Sequence, residues 1–179
     1  REIVALDISP EMLKVGQQRY PDPRISWRLG DIEAMDRDLT GFDAVIAIGG
    51  VLIYLRHPRE ALRAMHAALN PSGTLILSVM NRCHPTESYK NDERSGGRYR
   101  HPFTVEEIVD LVSEVGFHDI RVKGYRYFID LLPREWNSDR PPSDEVRQVI
   151  DKLAEAERLL VHCGSAKNAK ILWITATRP

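Results

Sequence analysis

The sequence predicts an α/β protein built on an open, mostly parallel sheet. Strand and helix patterns alternate along the chain with short links, the usual signature of that class. Its strands at 3–6 and 42–48 are apolar runs, the second but for Asp43, as expected of parallel strands covered on both faces. Acids follow two of the strands, where an open α/β sheet places its ligand site.

"IVAL" (3–6) is the first strand. In "SPEML", Ser9 is an N-cap, Pro10 takes the first helical position and Glu11 lies in the first turn. This helix runs to about Tyr20 and stops at "PDP". "ISWRL" (25–29) is a short strand ending at Gly30-Asp31, and "FDAVIAI" (42–48) is a third, ending in Gly49-Gly50. "HPREALRAMHAAL" is an amphipathic helix with Ala61, Leu62, Met65 and Leu69 on one stripe. "NPSG" breaks it, and "TLILSV" (74–79) is a fourth strand. Residues 81–102 are polar, basic and glycine-containing, a long loop of the kind that is either functional or disordered. Thr104 and Glu107 have capping-box spacing at the head of "TVEEIVDLVSEVGF". "DIRVKGYRYF" (119–128) alternates as a strand, and "PREWNSDRPPS" is a second polar loop. Val146, Val149, Ile150, Leu153 and Leu160 mark a helix from Asp144 to about Val161, and "AKILWITATRP" closes the chain as a strand.

At 179 residues the chain is one domain with a sizeable core. Its net charge of −1 provides no global field to recruit nucleic acid or an anionic membrane. No apolar run approaches the ~20 residues that span a bilayer, and nothing resembles a signal peptide. Cys83 and Cys163 lack metal-ligand spacing and read as free thiols in a reducing cytoplasm, so a cytoplasmic protein is expected. His162-Cys163 has no nearby third ligand, and no metal is expected.

Asp7 and Asp31 carry the chemistry. A carboxylate at a strand end accepts two hydrogen bonds from a ribose diol, and a second acid one strand along meets the exocyclic amine of an adenine. Either acid alone reads as a helix cap or a solvated turn residue. As a pair they describe a pocket for one nucleoside.

"ALDISPEMLKVGQQR", "GDIEAM", "FDAVIAIGGVLIYL", "ALNPSGTLILSVMNR" and "FTVEEIVDLVSEVGF" together resemble class I S-adenosylmethionine-dependent methyltransferases, in particular their small-molecule branch. The resemblance covers about residues 1–127 and the last strand, 170–178. It implies a Rossmann-like three-layer sandwich with strand order 3-2-1-4-5-7-6, mostly parallel with an antiparallel last strand. It also implies S-adenosylmethionine as cofactor. Asp7 would hold the ribose hydroxyls, with Ile8 and Met12 packing near the adenosyl group. Asp31 would face the adenine amine, and Ile32 would offer backbone and apolar contact to the ring. Ile48 and Gly49 would lie near the methionine part and the transferred methyl. Pro71 and Gly73 would have a structural role in a turn.

The chain departs from the family pattern in several places. Gly49-Gly50 makes its segment one residue longer than expected, and Tyr54 stands where many relatives have histidine. No "[ND]-P-P-[YF]" follows the third strand, which removes support for methylation of a nucleobase amine. The family's leading strand and its glycine-rich loop would precede Arg1 and have no counterpart here. In the implied fold that strand is central, and without it two apolar strands would present open edges. The expectation is therefore an N-terminally incomplete piece of a longer enzyme, lacking the first strand.

Segments 81–102 and 129–145 are expected to border the acceptor. His84, Tyr99 and His101 are the catalytic candidates, because a base serves where the acceptor is a hydroxyl or a protonated amine. Each alone reads more readily as a solvated loop side chain. Arg94, Arg98 and Arg100 could clamp an acceptor anion, but nearby Glu87, Asp92 and Glu93 favour a solvated loop. The expected partners are a small-molecule acceptor and, over the open sheet, a second copy or a partner chain. Two rival readings are a non-catalytic methyltransferase-like subunit and a nicotinamide-binding domain, which also ends its second strand in an acid.

Overall fold

The computed structural model describes residues 2–35, 38–85, 100–127 and 143–179, the Cys163 side chain excepted. In chain order the elements are β1 (Ile3–Asp7), α1 (Pro10–Arg19), β2 (Ile25–Leu29), β3 (Phe42–Ala47), α2 (Pro58–Ala68), β4 (Leu69–Met80), α3 (Val105–Glu114), β5 (His118–Tyr125), α4 (Asp144–Cys163) and β6 (Ile171–Thr177). Short 3-10 turns lie at Ile32–Ala34, Val51–Tyr54 and Ala166–Asn168.

The helix starts follow from their capping residues. The Ser9 hydroxyl accepts the Met12 N–H at 3.2 Å, with Pro10 at the first helical position. Thr104 and Glu107 form both bonds of a capping box, satisfying two otherwise orphaned amides of α3. Ser143 caps α4 through the Val146 N–H.

"NPSG" departs from expectation, because it lies inside β4 rather than ahead of it. The register jumps from Phe42 opposite Leu69 to Ala44 opposite Thr74, so the extra residues loop out. Ser72 takes a left-handed φ of 62° at that point. The Ser72 N–H donates to the Arg178 carbonyl and the Arg178 N–H to that of Gly73, both at 2.9 Å, which holds the bulge against the last strand.

The strands do not form the single, mostly parallel sheet that the sequence predicts. β1 and β2 make a two-stranded parallel sheet; β3-β4-β6-β5 make a second, with one parallel ladder and two antiparallel ones. Set against the implied order 3-2-1-4-5-7-6, the sheet divides where strand 1 would stand, and no described strand bridges β1 and β3. The antiparallel last strand is found: β6 runs antiparallel between β4 and β5.

The core lies on one face of the four-stranded sheet. Leu62 and Met65 of α2, Ile108 and Val112 of α3, and Leu75, Leu77, Leu172 and Ile174 of the strands pack into one buried cluster. Burying each such side chain is worth about 1.5–3 kcal/mol. On the opposite face, Val161 of α4 and Trp173 and Thr175 of β6 line a groove with Arg121, Lys123 and Tyr125. α1 covers the two-stranded sheet, burying Leu13 and setting Gly16 against the Trp27 ring. No helix among the described residues is long and apolar enough to cross a membrane.

Candidate functional site

The pairing of β1 with β2 brings the two predicted acids together. Asp7 stands opposite Leu29, and the Gly30 N–H donates to the Asp7 carbonyl at 3.0 Å, leaving Asp31 as the next residue. Both carboxylates are half-buried and each is fixed by its own backbone. Asp7 Oδ1 accepts the Ser9 N–H at 2.8 Å, and Asp31 Oδ1 accepts the Glu33 N–H at 2.9 Å, capping the turn Ile32–Ala34. The second oxygen of each carries no bond among the described residues. Two pre-oriented carboxylates thus stand at the carboxyl ends of neighbouring parallel strands.

Ile8 and Met12 follow Asp7 into α1 and are 69% and 59% exposed, so their apolar surfaces border the same end of β1. Ile32 is partly buried and packs against the core cluster, which fixes its position after Asp31. Glu33 reaches the second sheet, its carboxylate accepting the His57 N–H at the head of α2.

Ile48 and Gly49 follow β3. Gly49 and Gly50 take left-handed φ values of 87° and 84°, which favour glycine. No atom lies within 4 Å of where a Gly49 side chain would begin, so its backbone faces open space. The Gly49 N–H donates to Ser78 Oγ of neighbouring β4 at 3.1 Å. Sequence reasoning missed Ser78, a buried hydroxyl inside "TLILSV" whose signal was polarity on an otherwise apolar strand.

The catalytic candidates separate. The His101 N–H donates to the Ile53 carbonyl at 2.7 Å, which places it beside the turn after Gly50, and its ring meets Phe103 edge-on. Burial, then the positive charge of Arg82, hold the His101 pKa below the usual imidazole value, which favours the neutral form. His84 is buried, with a ring nitrogen 3.4 Å from the Tyr127 carbonyl, and is tied to the interior rather than to the strand ends. Tyr99, Arg94 and Arg98, with most of 81–102 and 129–145, lie outside the described residues. The feet of the first segment are anchored: the Arg82 N–H donates to the Phe103 carbonyl at 2.9 Å, and Arg82 pairs with Glu107.

Asn81 is fully buried and was also missed. Its Nδ2 donates to the carbonyls of Lys167 at 2.9 Å and Ala169 at 2.6 Å, while Oδ1 accepts the Cys83 N–H at 3.0 Å. One side chain therefore ties the end of β4 to the turn that precedes β6. Among the described residues, no three of His, Cys, Asp and Glu gather closely enough to hold a metal ion.

Residues 1–73 match the family described as a methyltransferase domain. The demethylmenaquinone methyltransferase of Renibacterium salmoninarum is 39% identical over 85 residues, covering 48% of this chain and 34% of that protein. The chain spans about a third of the length of the curated relatives it matches. Among solved structures, an S-adenosylmethionine-dependent methyltransferase of Thermotoga maritima aligns with 99% of this chain and 73% of its own, at a TM-score of 0.71 and 18% identity. Phosphoethanolamine N-methyltransferase 2 of Haemonchus contortus, in complex with S-adenosyl-L-methionine, aligns with 99% of this chain and 43% of its own, at 0.67 and 17%. At these identities the likeness is one of fold.

Proposed function

Residues 1–73 belong to the methyltransferase domain family and the chain carries a class I S-adenosylmethionine-dependent fold; from that premise we propose that the protein transfers a methyl group from S-adenosylmethionine to a small-molecule acceptor. The observation that carries this reading is the Asp7–Asp31 pair at the ends of β1 and β2. The pair fits an adenosyl group, because each acid keeps one oxygen uncommitted while the other is pinned to its own turn. The open space at Gly49 fits an extended tail entering past β3.

Asp7 would accept the ribose hydroxyls and Asp31 the adenine amine, with Ile8 and Met12 against the adenosyl group. Ile32 would offer backbone and apolar contact to the ring, and Ile48 and Gly49 would border the methionine end. When bound, the cofactor supplies a methyl group on a positively charged sulfur, open to in-line displacement. The protein's share is then positioning. Ser78 fixes the Gly49 amide, and His101, its pKa lowered by burial and then by Arg82, would serve as the base for an acceptor hydroxyl or amine. A small-molecule acceptor agrees with the demethylmenaquinone methyltransferase relative and with the absence of "[ND]-P-P-[YF]" after β3.

A second reading, a methyltransferase-like subunit completed by a partner chain, is favoured by the division of the sheet, since no strand joins β1 to β3 among the described residues. Calorimetric titration with S-adenosylhomocysteine, and with NAD in parallel, separates these readings. Saturable binding of the first alone supports the methyltransferase. A folded chain that binds neither supports the subunit, and binding of NAD alone refutes both.

A further inference from the structure

β5 and β6 show chemically different faces. Along β6, Leu172, Ile174 and Ala176 are buried in the core, so Trp173 and Thr175 turn to the opposite side. Along β5, Val122 packs against the core, while Arg121, Lys123 and Tyr125 alternate outward. The register sets Arg121 opposite Thr175 and Lys123 opposite Trp173, with Tyr125 one rung further on. With Val161 of α4, these side chains line a groove of about 360 Å³, within the size range of small-molecule sites.

Charge and aromatic surface meet in this groove. Neither Arg121 nor Lys123 has a carboxylate partner among the described residues. Asp119, two residues ahead of Arg121, lies 2.8 Å from the His118 ring instead. Glu157, one turn before Val161 on α4, accepts the Tyr127 N–H at 2.9 Å. Neither Trp173 nor Tyr125 stacks on another described ring, and Tyr125 is 50% exposed. Cations on an edge strand also guard it against pairing with another chain. Edge defence, however, needs neither a tryptophan beside the cations nor a cleft around them.

We propose that this groove is a binding site for a small aromatic anion, a planar ring carrying one carboxylate or phosphate group. The ring lies against Trp173, Tyr125 and Val161, and the anionic group between Arg121 and Lys123. Residues two apart on a strand stand about 6.6 Å apart, so both long side chains reach one anion. Arg121 offers a fork of donors and Lys123 a point charge, and Thr175 adds a hydroxyl on the Arg121 rung. A neutral ring would leave the cations unanswered, and a bare anion would leave the rings uncovered. β4 separates β6 from β3, and Asp7 and Asp31 stand on the other sheet. The site is therefore independent of the methyl-transfer reading.

The test titrates the whole chain, followed residue by residue by amide NMR, with phenylacetate and with phenyl phosphate. Benzyl alcohol and inorganic phosphate are the controls. Saturable binding of either aryl anion below about 1 mM, shifting the amides of 121–125 and 173–175 and the Trp173 indole N–H, supports the site; the tighter of the two identifies its anionic group. Both controls should bind at least about tenfold more weakly. Arg121→Gln and Lys123→Gln, at exposed positions, should each weaken binding by about tenfold or more with an unchanged urea midpoint. Trp173→Leu should do the same, and Tyr125→Leu takes its place if that variant fails to fold. Absence of saturable binding, shifts confined to other elements, or wild-type affinity in both glutamine variants overturns the proposal. Benzyl alcohol binding as tightly as phenylacetate would reduce the groove to an apolar crevice, and inorganic phosphate matching phenyl phosphate would reduce it to a patch of charge; either result refutes the aromatic-anion site.

Discussion

Asp7 offers a test in which binding and folding respond to different substitutions. Its carboxylate has two jobs on two oxygens. Oδ1 accepts the Ser9 N–H at 2.8 Å and so sets the entry to α1, while the other oxygen carries no bond among the described residues. Asp7→Asn can keep an oxygen on Ser9 but replaces the charged acceptor with a neutral amide. Hydrogen bonds to a charged partner contribute about 1.5–3 kcal/mol and neutral ones about 0.5–1.5. Two ribose bonds weakened in this way amount to roughly 1–3 kcal/mol, or about 5- to 150-fold in dissociation constant. Asp7→Ala removes the Ser9 bond too, and losing a capping contact costs about 0.5–2 kcal/mol of stability. The expected pattern is therefore weak S-adenosylhomocysteine binding in both variants, with a lower urea midpoint in the alanine variant alone. Calorimetry reads the first and urea unfolding followed by circular dichroism reads the second. Wild-type affinity in Asp7→Asn would refute the ribose role. An equally lowered midpoint in both variants would show Asp7 to be a structural cap.

Gly16→Ala should lower stability by about 1–2 kcal/mol, since the new methyl would meet the Trp27 ring. In a Trp27→Leu background the same change should become stabilising by about 0.5–1 kcal/mol, the ordinary gain of alanine over glycine in a helix; urea unfolding of the four variants measures both. Asn81→Leu leaves the Lys167 and Ala169 carbonyls and the Cys83 amide without that partner, and should lower the urea-derived stability by about 2–4 kcal/mol. Burial, then the charge of Arg178, lowers the pKa of His66, and burial, then Arg82, that of His101. The folded protein therefore binds fewer protons than the unfolded chain once pH falls below about 6.5, so stability should be fully present above that pH and decline toward pH 5. A urea-midpoint series checks this, and His66→Gln should flatten the slope.

Much of the fold was legible because its signals are local. Ser9-Pro10 and Thr104-Glu107 set helix starts by satisfying amides within one turn, and the apolar runs of β1 and β3 identify them as strands. The bulge at "NPSG" was not legible. Proline and glycine there end α2 as expected, but the Arg178 carbonyl and the Gly73–Arg178 bond that keep the segment in β4 come from the far end of the chain. Ser78 and Asn81 escaped for the same reason: their partners, Gly49 and residues 167–169, are brought in by the tertiary fold alone.

The Asp7–Asp31 site shows where this boundary falls. Each acid is held by a bond two residues along its own chain, so its orientation is written locally. Their adjacency needs one further fact, the parallel register that sets Asp7 opposite Leu29, and a strand–helix–strand unit fixes that register through its short connections. No comparable local rule joins this pair to Gly49. That relation passes through the turn Ile32–Ala34, the Glu33–His57 bond and the packing of Ile32 on the core, because β1 and β3 share no ladder. A single turn is a weaker brace than a hydrogen-bonded strand. The adenosyl end of the cleft should accordingly be the more rigid half, with slower amide exchange at β1 and β2 than around Gly49.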